Sequence, residues 1–285
     1  MTKLQQTEFD LLKTTVDICD KLGITYYLVC GSALGAVKYS GFIPWDDDVD
    51  IAMTRLDYKR FCKEAPELLP EYYFLQNIDT DKNVPFIFSK IRDSRTTYIE
   101  KSISHIDINH GVYIDIFPID GYPTEQGEIK KMERSLKFLK LGLSSVYKFN
   151  CNMRLTTKIF LTIERILGFN YRTKYFIKKI SKLISAYPTA TSNIWCNHGN
   201  WQGKLEYAPR SQYGEGAWAE FEGLKVRVPE KYDEYLTQKY GDWRADLPKE
   251  QQIGHHFYEI CDLNRPYTDY IEKLPNGKVK TINPK

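Results

Sequence analysis

The amino-acid sequence predicts an α/β or α+β fold, because strand and helix patterns alternate along the first part of its 285 residues. An amphipathic helical pattern opens the chain, with leucines near helical spacing. A run of β-branched and aromatic residues follows directly, as expected of a buried strand. Short apolar runs then recur between polar stretches. A mixed sheet core flanked by helices accounts for all three observations.

The first elements are predicted from local patterns. Residues 4–22 form an amphipathic helix, and Gly23 is placed to end it, since glycine tolerates the left-handed conformation at a helix terminus. Residues 24–30 form a buried strand. Residues 31–32 interrupt that strand, and a short helix is predicted over 33–38.

The next elements complete the predicted core. Residues 48–53 alternate apolar and polar side chains and predict a second strand. Thr54 and Asp57 fit the cap of a helix over 56–63. One clear helix is predicted late in the chain, at residues 230–240. Further strands are predicted at 73–77, 86–92 and 112–117.

Two pairs of residues carry the most informative pattern. Gly31 and Ser32 follow the first strand, and Asp48 and Asp50 lie on the predicted second one. Side chains two apart on a strand share a face, with Cα atoms about 6.5 Å apart. Two such carboxylates suit one hard divalent cation or a pair of them, which would relieve their mutual repulsion.

Complementary features surround the two acids. Gly31 lets backbone N–H groups approach a phosphate, Ser32 adds a hydroxyl donor, and the predicted helix N-terminus favours an anion. Asp115 lies within an apolar strand and is the candidate third carboxylate. Each part has a structural alternative: a simple turn at 31–32, a solvated loop at 46–48, and a turn-forming role for Asp115. Taken together, the strand, Gly31 and Ser32, the loop, and the Asp48–Asp50 pair resemble the pattern of the nucleotidyltransferase fold.

The segment at residues 31–61, GSALGAVKYSGFIPWDDDVDIAMTRLDYKRF, resembles the LicD family, which also includes relatives of fukutin. Lys38 stands where Arg is more usual in that family, which removes the option of bidentate phosphate contact. The resemblance extends over most of residues 20–260. Further matching segments are SKIRDSRTTY at 89–98, GVYIDIFPIDGYP at 111–123, and VPEKYDEYLTQKYGDW at 228–243 with His255 and His256 after it.

The resemblance implies a metal-dependent transferase that moves a phospho-alcohol group from a CDP-activated donor to a glycan hydroxyl, releasing CMP. CDP-choline is the expected donor, and a cell-surface glycan precursor, free or lipid-linked, is the expected acceptor. Asp48, Asp50 and Asp115 would hold Mg²⁺ or Mn²⁺, and Asp115 could accept the hydroxyl proton. The alternative is a nucleotidyltransferase that moves NMP from an NTP to a small molecule or sugar with the same acids.

Five further side chains are candidates for substrate contact: Lys38, Trp45, Lys90, Arg92 and His256. Lys90 and Arg92 alternate on the predicted strand and would face a diphosphate, unless they form a solvated strand edge. Trp45 could stack on a base, a sugar or a choline cation, or simply anchor its loop. His256 could contact phosphate or substrate, or have a structural role.

Charge is distributed unevenly along the chain. The net charge of +3 argues against a nucleic-acid partner. Residues 128–186 hold 14 basic and three acidic residues, so this segment carries +11 and the remainder −8. Its helical patterns place apolar residues such as Ile177, Ile180, Leu183 and Ile184 on one face, opposite the lysines. Such helices suit an anionic membrane surface, an anionic acceptor, or simply a solvated basic face.

These observations predict three parts: a nucleotidyltransferase-like catalytic core at 1–124, a basic helical insertion at 125–190, and a segment at 191–285 that completes the catalytic domain. No segment has the length and hydropathy of a membrane span, and the N-terminus lacks a signal-peptide pattern. The six cysteines form no C-x-x-C pair. We therefore expect a reduced, cytoplasmic protein that can bind peripherally at the inner face of the membrane.

Overall fold

The computed structural model describes residues 1–148, 155–168, 172–199, 203–254, 256–275 and 277–284; His255 lies outside them. The α-helices are α1 (Lys3–Leu22), α2 (Cys30–Tyr39), α3 (Arg55–Glu64), α4 (Gln126–Ser144), α5 (Leu155–Ile166), α6 (Thr173–Ile184), α7 (Arg210–Tyr213) and α8 (Tyr232–Tyr240). The strands are β1 (Tyr26–Leu28), β2 (Asp50–Thr54), β3 (Tyr73–Gln76), β4 (Ser89–Asp93), β5 (Thr97–Glu100), β6 (Val112–Gly121), β7 (Ile194–Cys196), β8 (Tyr207–Pro209), β9 (Ala217–Phe221), β10 (Leu224–Val228), β11 (Tyr258–Asp262), β12 (Ile271–Lys273) and β13 (Val279–Thr281).

A mixed sheet of seven strands forms the centre of the described structure. Its order is β1-β2-β6-β4-β3, and β7 pairs with the far end of β6 and with β8. β2 and β6 run parallel, whereas the other neighbours are antiparallel. All ten residues of β6 are buried, which makes it the central strand. The predicted α+β class, a mixed sheet with flanking helices, is confirmed.

The predicted first helix is confirmed, including its end before Gly23, and it begins at Lys3, one residue earlier than predicted. Thr2 caps α1, with its side chain accepting from the Gln5 N–H while Gln5 bonds back to the Thr2 backbone. Gly23, at a φ of 61°, ends the helix in the left-handed conformation. Buried side chains such as Leu11 and Leu12 join the main core cluster. The helix therefore packs on the sheet, against β6.

The first strand–helix connection is tighter than predicted. α2 begins at Cys30, so Gly31 and Ser32 lie in the first turn of the helix rather than in a turn before it. Cys30 has a φ of 53°, a conformation that costs a residue with a side chain about 1–3 kcal/mol. The Ser32 hydroxyl accepts a hydrogen bond of 2.8 Å from the Asp50 N–H. This bond ties the start of α2 to the start of β2.

All five predicted strands differ from the observed ones at one or both ends, β2 and β6 among them. β2 begins at Asp50, so the prediction that Asp48 lies on this strand was wrong: Asp48 lies in the preceding loop. β6 continues through Pro118 to Gly121, beyond its predicted end at residue 117. Pairing with β4 ends at Ile116 and pairing with β7 starts at Asp120, so Pro118 falls between the two ladders. A residue without an N–H is tolerated there.

The basic segment folds into the predicted helices. α4 and α6 pack together through a cluster of apolar side chains that includes Leu136, Phe176 and Ile180. Ile87 from the core joins this cluster. The apolar face predicted for α6 is therefore buried.

Among the described helices, none combines the length and the apolar character that crossing a bilayer requires.

The C-terminal segment returns to the core, which the sequence patterns only partly anticipated. β11 pairs with β5, and α8 packs against α2. β9 and β10 form a hairpin against the β1 side of the sheet. These contacts bring residues after 230 beside the acidic loop at 46–48.

Candidate functional site

Two buried carboxylates meet at the centre of the sheet. Asp50 begins β2 and is the register partner of Asp115 on the parallel strand β6. Adjacent strands lie about 4.8 Å apart, so the two side chains, which line the same cavity, are close neighbours. The Asp115 N–H donates to the Val49 carbonyl at 2.8 Å and fixes this register. Asp48 lies two residues before Asp50 and lines the same cavity.

The electrostatics of this cluster favour a cation. Burial, with the nearby charges of Asp48 and Asp115, raises the pKa of Asp50 well above its ordinary value. Burial also raises the pKa of Asp115, although Lys90 opposes the shift. Acids held together in this way repel one another when they are ionised. A divalent cation between them would relieve that repulsion.

Lys90 is the cation that accompanies the acids in the structure. Its Nζ lies 2.9 Å from Asp115 Oδ1, and both side chains are largely buried. The same ammonium lies 3.3 Å from the ring centroid of Tyr113. Lys90 also lines the cavity with the acids, so its ammonium and their carboxylates share one space.

His256 reaches the acidic loop from the far end of the chain. Its Nδ1 lies 3.1 Å from Asp47 Oδ1 and its Nε2 3.6 Å from Asp48 Oδ2. Its backbone N–H also donates to Asp47 at 3.2 Å. Burial disfavours the imidazolium, but the hydrogen bond to Asp47 and the charge of Asp48 raise the pKa of His256 to about 10. His256 therefore holds the loop that carries Asp48.

Two cavities meet at these residues, and Asp48, Asp50 and His256 line both. The first, of about 270 Å³, is named the aromatic cavity. Its apolar walls include Phe86, Phe88, Phe117 and Tyr147, with the carboxylate of Glu100 beside them. Burial opposes ionisation of Glu100, but the charges of Lys90 and Arg92 lower its pKa below the ordinary value.

The second cavity, of about 390 Å³, is named the tryptophan cavity. Trp45 and Trp243 line it, together with Gly31, Lys38 and Tyr240. Tyr39 packs edge-to-face on Trp45, with ring centroids 6.4 Å apart. The cavity thus joins aromatic surface to the first turn of α2.

Gly31 and Lys38 shape the tryptophan cavity in different ways. A Cβ on Gly31 would lie 2.6 Å from Asp46 Oδ2, so the Asp46 carboxylate occupies space that a glycine leaves open. Burial and the charges of Asp48 and Asp47 raise the pKa of Asp46 to about 8. Lys38 Nζ contacts the Ala245 carbonyl at 2.8 Å and Asp246 Oδ1 at 3.0 Å. Lys38 thereby holds the loop that follows Trp243.

Arg92 and Ser32 lie beside the site rather than in its cavities. Arg92 shares a face of β4 with Lys90, as predicted, but it is fully buried. Its guanidinium donates to Gln76 and to the Gly111 carbonyl, and it lines neither cavity. The Ser32 hydroxyl bonds to the Asp50 N–H, as described above, and lines neither cavity.

The chemistry of the donor set fits a hard divalent cation. Within the described ranges, no group of three or more His, Cys, Asp or Glu side chains is arranged to hold an ion by itself. Mg²⁺ is commonly bound by one or two carboxylates together with substrate phosphates and water. Asp48 and Asp50 supply two carboxylates, and the raised pKa of Asp50 is the observation that favours a cation there.

Comparison with known proteins decides the family. The family model described as "LicD/FKTN/FKRP, nucleotidyltransferase domain" matches residues 23–139. The lipopolysaccharide cholinephosphotransferase LicD of Haemophilus influenzae is 29% identical over 258 residues, which cover 86% of this chain and 92% of that protein. Residues 23–139 belong to the LicD family. An uncharacterised protein of Rickettsia prowazekii is also similar, at 30% identity over 115 residues and 40% of each chain.

The LicD match contains the central acids but not the whole site. Asp48, Asp50, Lys90 and Asp115 lie within the matched range, whereas His256 lies beyond it. The aligned H. influenzae protein extends over most of the chain, including its later part.

Several residues of the site were not predicted as such from the sequence: Asp46, Asp47, Phe86, Phe88, Glu100, Phe117, Tyr147, Tyr240 and Trp243. Asp46 and Asp47 belong to the acidic run, which was a usable signal. The remaining residues reach the site through long-range packing, for which the sequence holds no local pattern.

Proposed function

We propose that this protein transfers phosphocholine from CDP-choline to a hydroxyl of a cell-surface glycan precursor, with release of CMP. The observation that carries the proposal is the position of the acids, which lie where two cavities meet. Transfer of a phosphoryl group places the attacking and leaving oxygens on opposite sides of phosphorus. Two spaces that share one acidic centre suit that requirement. The name of the H. influenzae relative supports choline phosphate and lipopolysaccharide as the substrate classes.

The tryptophan cavity is proposed to bind the cytidine nucleotide. The first turn of α2 lines it at Cys30 and Gly31, and a helix N-terminus favours phosphate. Trp45 and Trp243 offer flat apolar surface on which a pyrimidine ring can stack. This cavity therefore offers a site for the phosphate of CMP and a surface for its cytosine ring.

The aromatic cavity is proposed to bind the choline end of the donor beside the acceptor hydroxyl. Quaternary ammonium groups bind against aromatic faces. The rings of Phe86 and Phe88 already accept a cation, since Lys90 Nζ lies 5.5 Å and 5.6 Å from their centroids. Glu100 adds an ionised carboxylate to the same cavity. An uncharged or anionic alcohol would gain less from these groups.

Residues of the chain have distinct roles in the proposed reaction. Asp48 and Asp50 would hold Mg²⁺ or Mn²⁺, with Asp115 beside them; the ion would neutralise charge on the diphosphate. Lys90 stabilises negative charge on the transferred phosphoryl group. Asp115, whose pKa is raised by burial, accepts the proton of the acceptor hydroxyl. The new P–O bond joins that oxygen to the phosphocholine phosphorus, and the bond to CMP breaks.

The direct test is a donor comparison with purified protein, Mg²⁺ and a glycan acceptor. We expect CMP release from CDP-choline, with one phosphocholine gained by the acceptor for each CMP, and loss of both on chelation of the metal. The competing nucleotidyltransferase reaction would instead release pyrophosphate from an NTP. Pyrophosphate release without CMP release would contradict the proposal.

The choline assignment predicts a specific effect of Glu100→Gln. Loss of the negative charge is expected to lower kcat/KM for CDP-choline by about tenfold. The CDP ester of the uncharged tert-butyl analogue of choline should be affected far less, because it lacks the cation. Glu133→Gln, which alters a carboxylate bonded to Tyr122 outside both cavities, is the control. An equal loss with both donors would contradict the assignment.

A further inference from the structure

α5 carries its apolar side chains on the outside. Leu161 and Glu164 are its buried residues. An amphipathic helix on a protein surface normally buries its apolar stripe and exposes its charges. Here the helix and the residue after it expose six large apolar side chains: Leu155, Ile159, Phe160, Ile163, Ile166 and Leu167. Ile159, Ile163 and Ile166 follow one another at helical spacing, so they form a continuous stripe.

The inner side of α5 is held by polar contacts. The buried Glu164 faces inward, where burial raises its pKa to about 7. Arg165 donates to the Ser145 carbonyl at 2.8 Å and also to the Tyr147 carbonyl. These bonds fix the helix to the end of α4 with the apolar stripe outward. The stripe is therefore exposed because these polar contacts orient α5 with its apolar side chains outward.

The segment that contains the stripe is strongly basic. The segment 128–186 carries a net charge of +11. Glu164, which is buried, is the one acidic residue of α5. α6, in the same segment, exposes Lys174, Lys178, Lys179 and Lys182. An apolar helix face within a strongly basic segment is complementary to the headgroup and acyl boundary of an anionic bilayer.

We propose that α5 binds in the plane of an anionic membrane surface, with the Ile159–Ile163–Ile166 stripe inserted among the lipids and the lysines of the segment beside the headgroups. Arg165 links this membrane contact to the aromatic cavity. Its guanidinium donates to the Tyr147 carbonyl, and Tyr147 lines that cavity. Membrane binding itself does not depend on the proposed reaction. If that reaction holds, the surface would present a lipid-linked acceptor near the aromatic cavity.

The test is flotation of the full chain with vesicles that contain phosphatidylglycerol and phosphatidylcholine. We expect wild-type protein to float, and Ile159→Ser combined with Ile163→Ser to lower the partition coefficient at least tenfold. Leu56→Ser is the matched control, since Leu56 on α3 is 76% exposed outside the basic segment. This control should float like the wild type. Vesicles of phosphatidylcholine alone, or high salt, should weaken wild-type binding.

Two outcomes would overturn the inference. One is flotation of the double variant equal to that of wild type, with thermal melting confirming that both are folded. The other is a wild-type dimer that the double variant converts to monomer, with no vesicle binding by either, since a second copy of the chain would then cover α5. CMP release with a soluble acceptor should persist in the double variant. Failure of flotation therefore leaves the proposed function standing, and failure of CMP release leaves flotation unaffected.

Discussion

Asp50→Asn should lower kcat/KM for CMP release by about 10²–10³ or more, because it removes a carboxylate that would bind the divalent cation at the reacting phosphate. The fold should persist, since the Asp50 N–H that bonds Ser32 is unchanged. Steady-state CMP release by the variant and wild type at saturating Mg²⁺ is the measurement. Near-normal turnover in the variant would refute the role assigned to Asp50.

The same variant should raise thermal stability in the absence of metal and abolish the stabilisation that added metal gives. In chelator, Asp50→Asn is expected to raise Tm, because burial and neighbouring acids disfavour the Asp50 charge. Added Mg²⁺ should raise the Tm of wild type, since a ligand that binds only the folded state stabilises it, but not that of the variant. Asp120→Asn is the control, because it breaks the buried pair with Arg55 and should lower Tm while keeping the Mg²⁺ response.

Lys239→Met should lower the free energy of unfolding by about 3–5 kcal/mol, because it leaves a buried carboxylate without its partner. Lys239 Nζ lies 2.7 Å from Glu206 Oε1, and the two side chains are 1% and 2% exposed. Chemical denaturation measures the loss. Lys231→Met, which removes an exposed pair with Glu234, should cost no more than about 1 kcal/mol.

The effect of Lys239→Met should depend on pH. Burial raises the pKa of Glu206 even with Lys239 present, and without Lys239 it should rise further. A carboxyl whose folded pKa lies above its unfolded value of about 4.3 loses stability as pH rises. The deficit should therefore be smallest near pH 4 and largest at neutral pH. Adding Glu206→Gln should restore part of the stability at neutral pH; a pH-independent deficit would contradict this account.

Local patterns were sufficient for elements whose cause is local. α1 was predicted with its end at Gly23 because helical spacing and a left-handed glycine are both visible in the sequence. The apolar face of α6 and the cap at Thr54 were also predicted, because helical spacing and a capping residue are likewise visible in the local sequence. Strands that depend on distant partners were predicted less well, as with β7 on β6 and β11 on β5. The hairpin of β9 and β10, whose strands are adjacent in the chain, was also missed.

The site shows the same division. Asp48, Asp50 and Asp115 could be proposed together from spacing and from an acid inside an apolar strand. The structure brings them to one cavity. Arg92 was proposed as a phosphate contact from strand alternation. Alternation correctly predicts which face of β4 carries Arg92, but it cannot predict that the side chain is fully buried. The cavity wall that Tyr147 contributes depends on how the helical segment packs, which no local pattern encodes.

The pairing of His256 with Asp47 has a consequence for the synthesis of the protein. The two residues are 209 positions apart, and His256 lines both cavities. A chain emerging from the ribosome can form β2 and β6 early, because their pairing spans far fewer residues. The acidic loop reaches its final position only when almost the whole polypeptide is available. Incomplete chains would therefore hold the central acids in a folded sheet and still lack a finished catalytic centre.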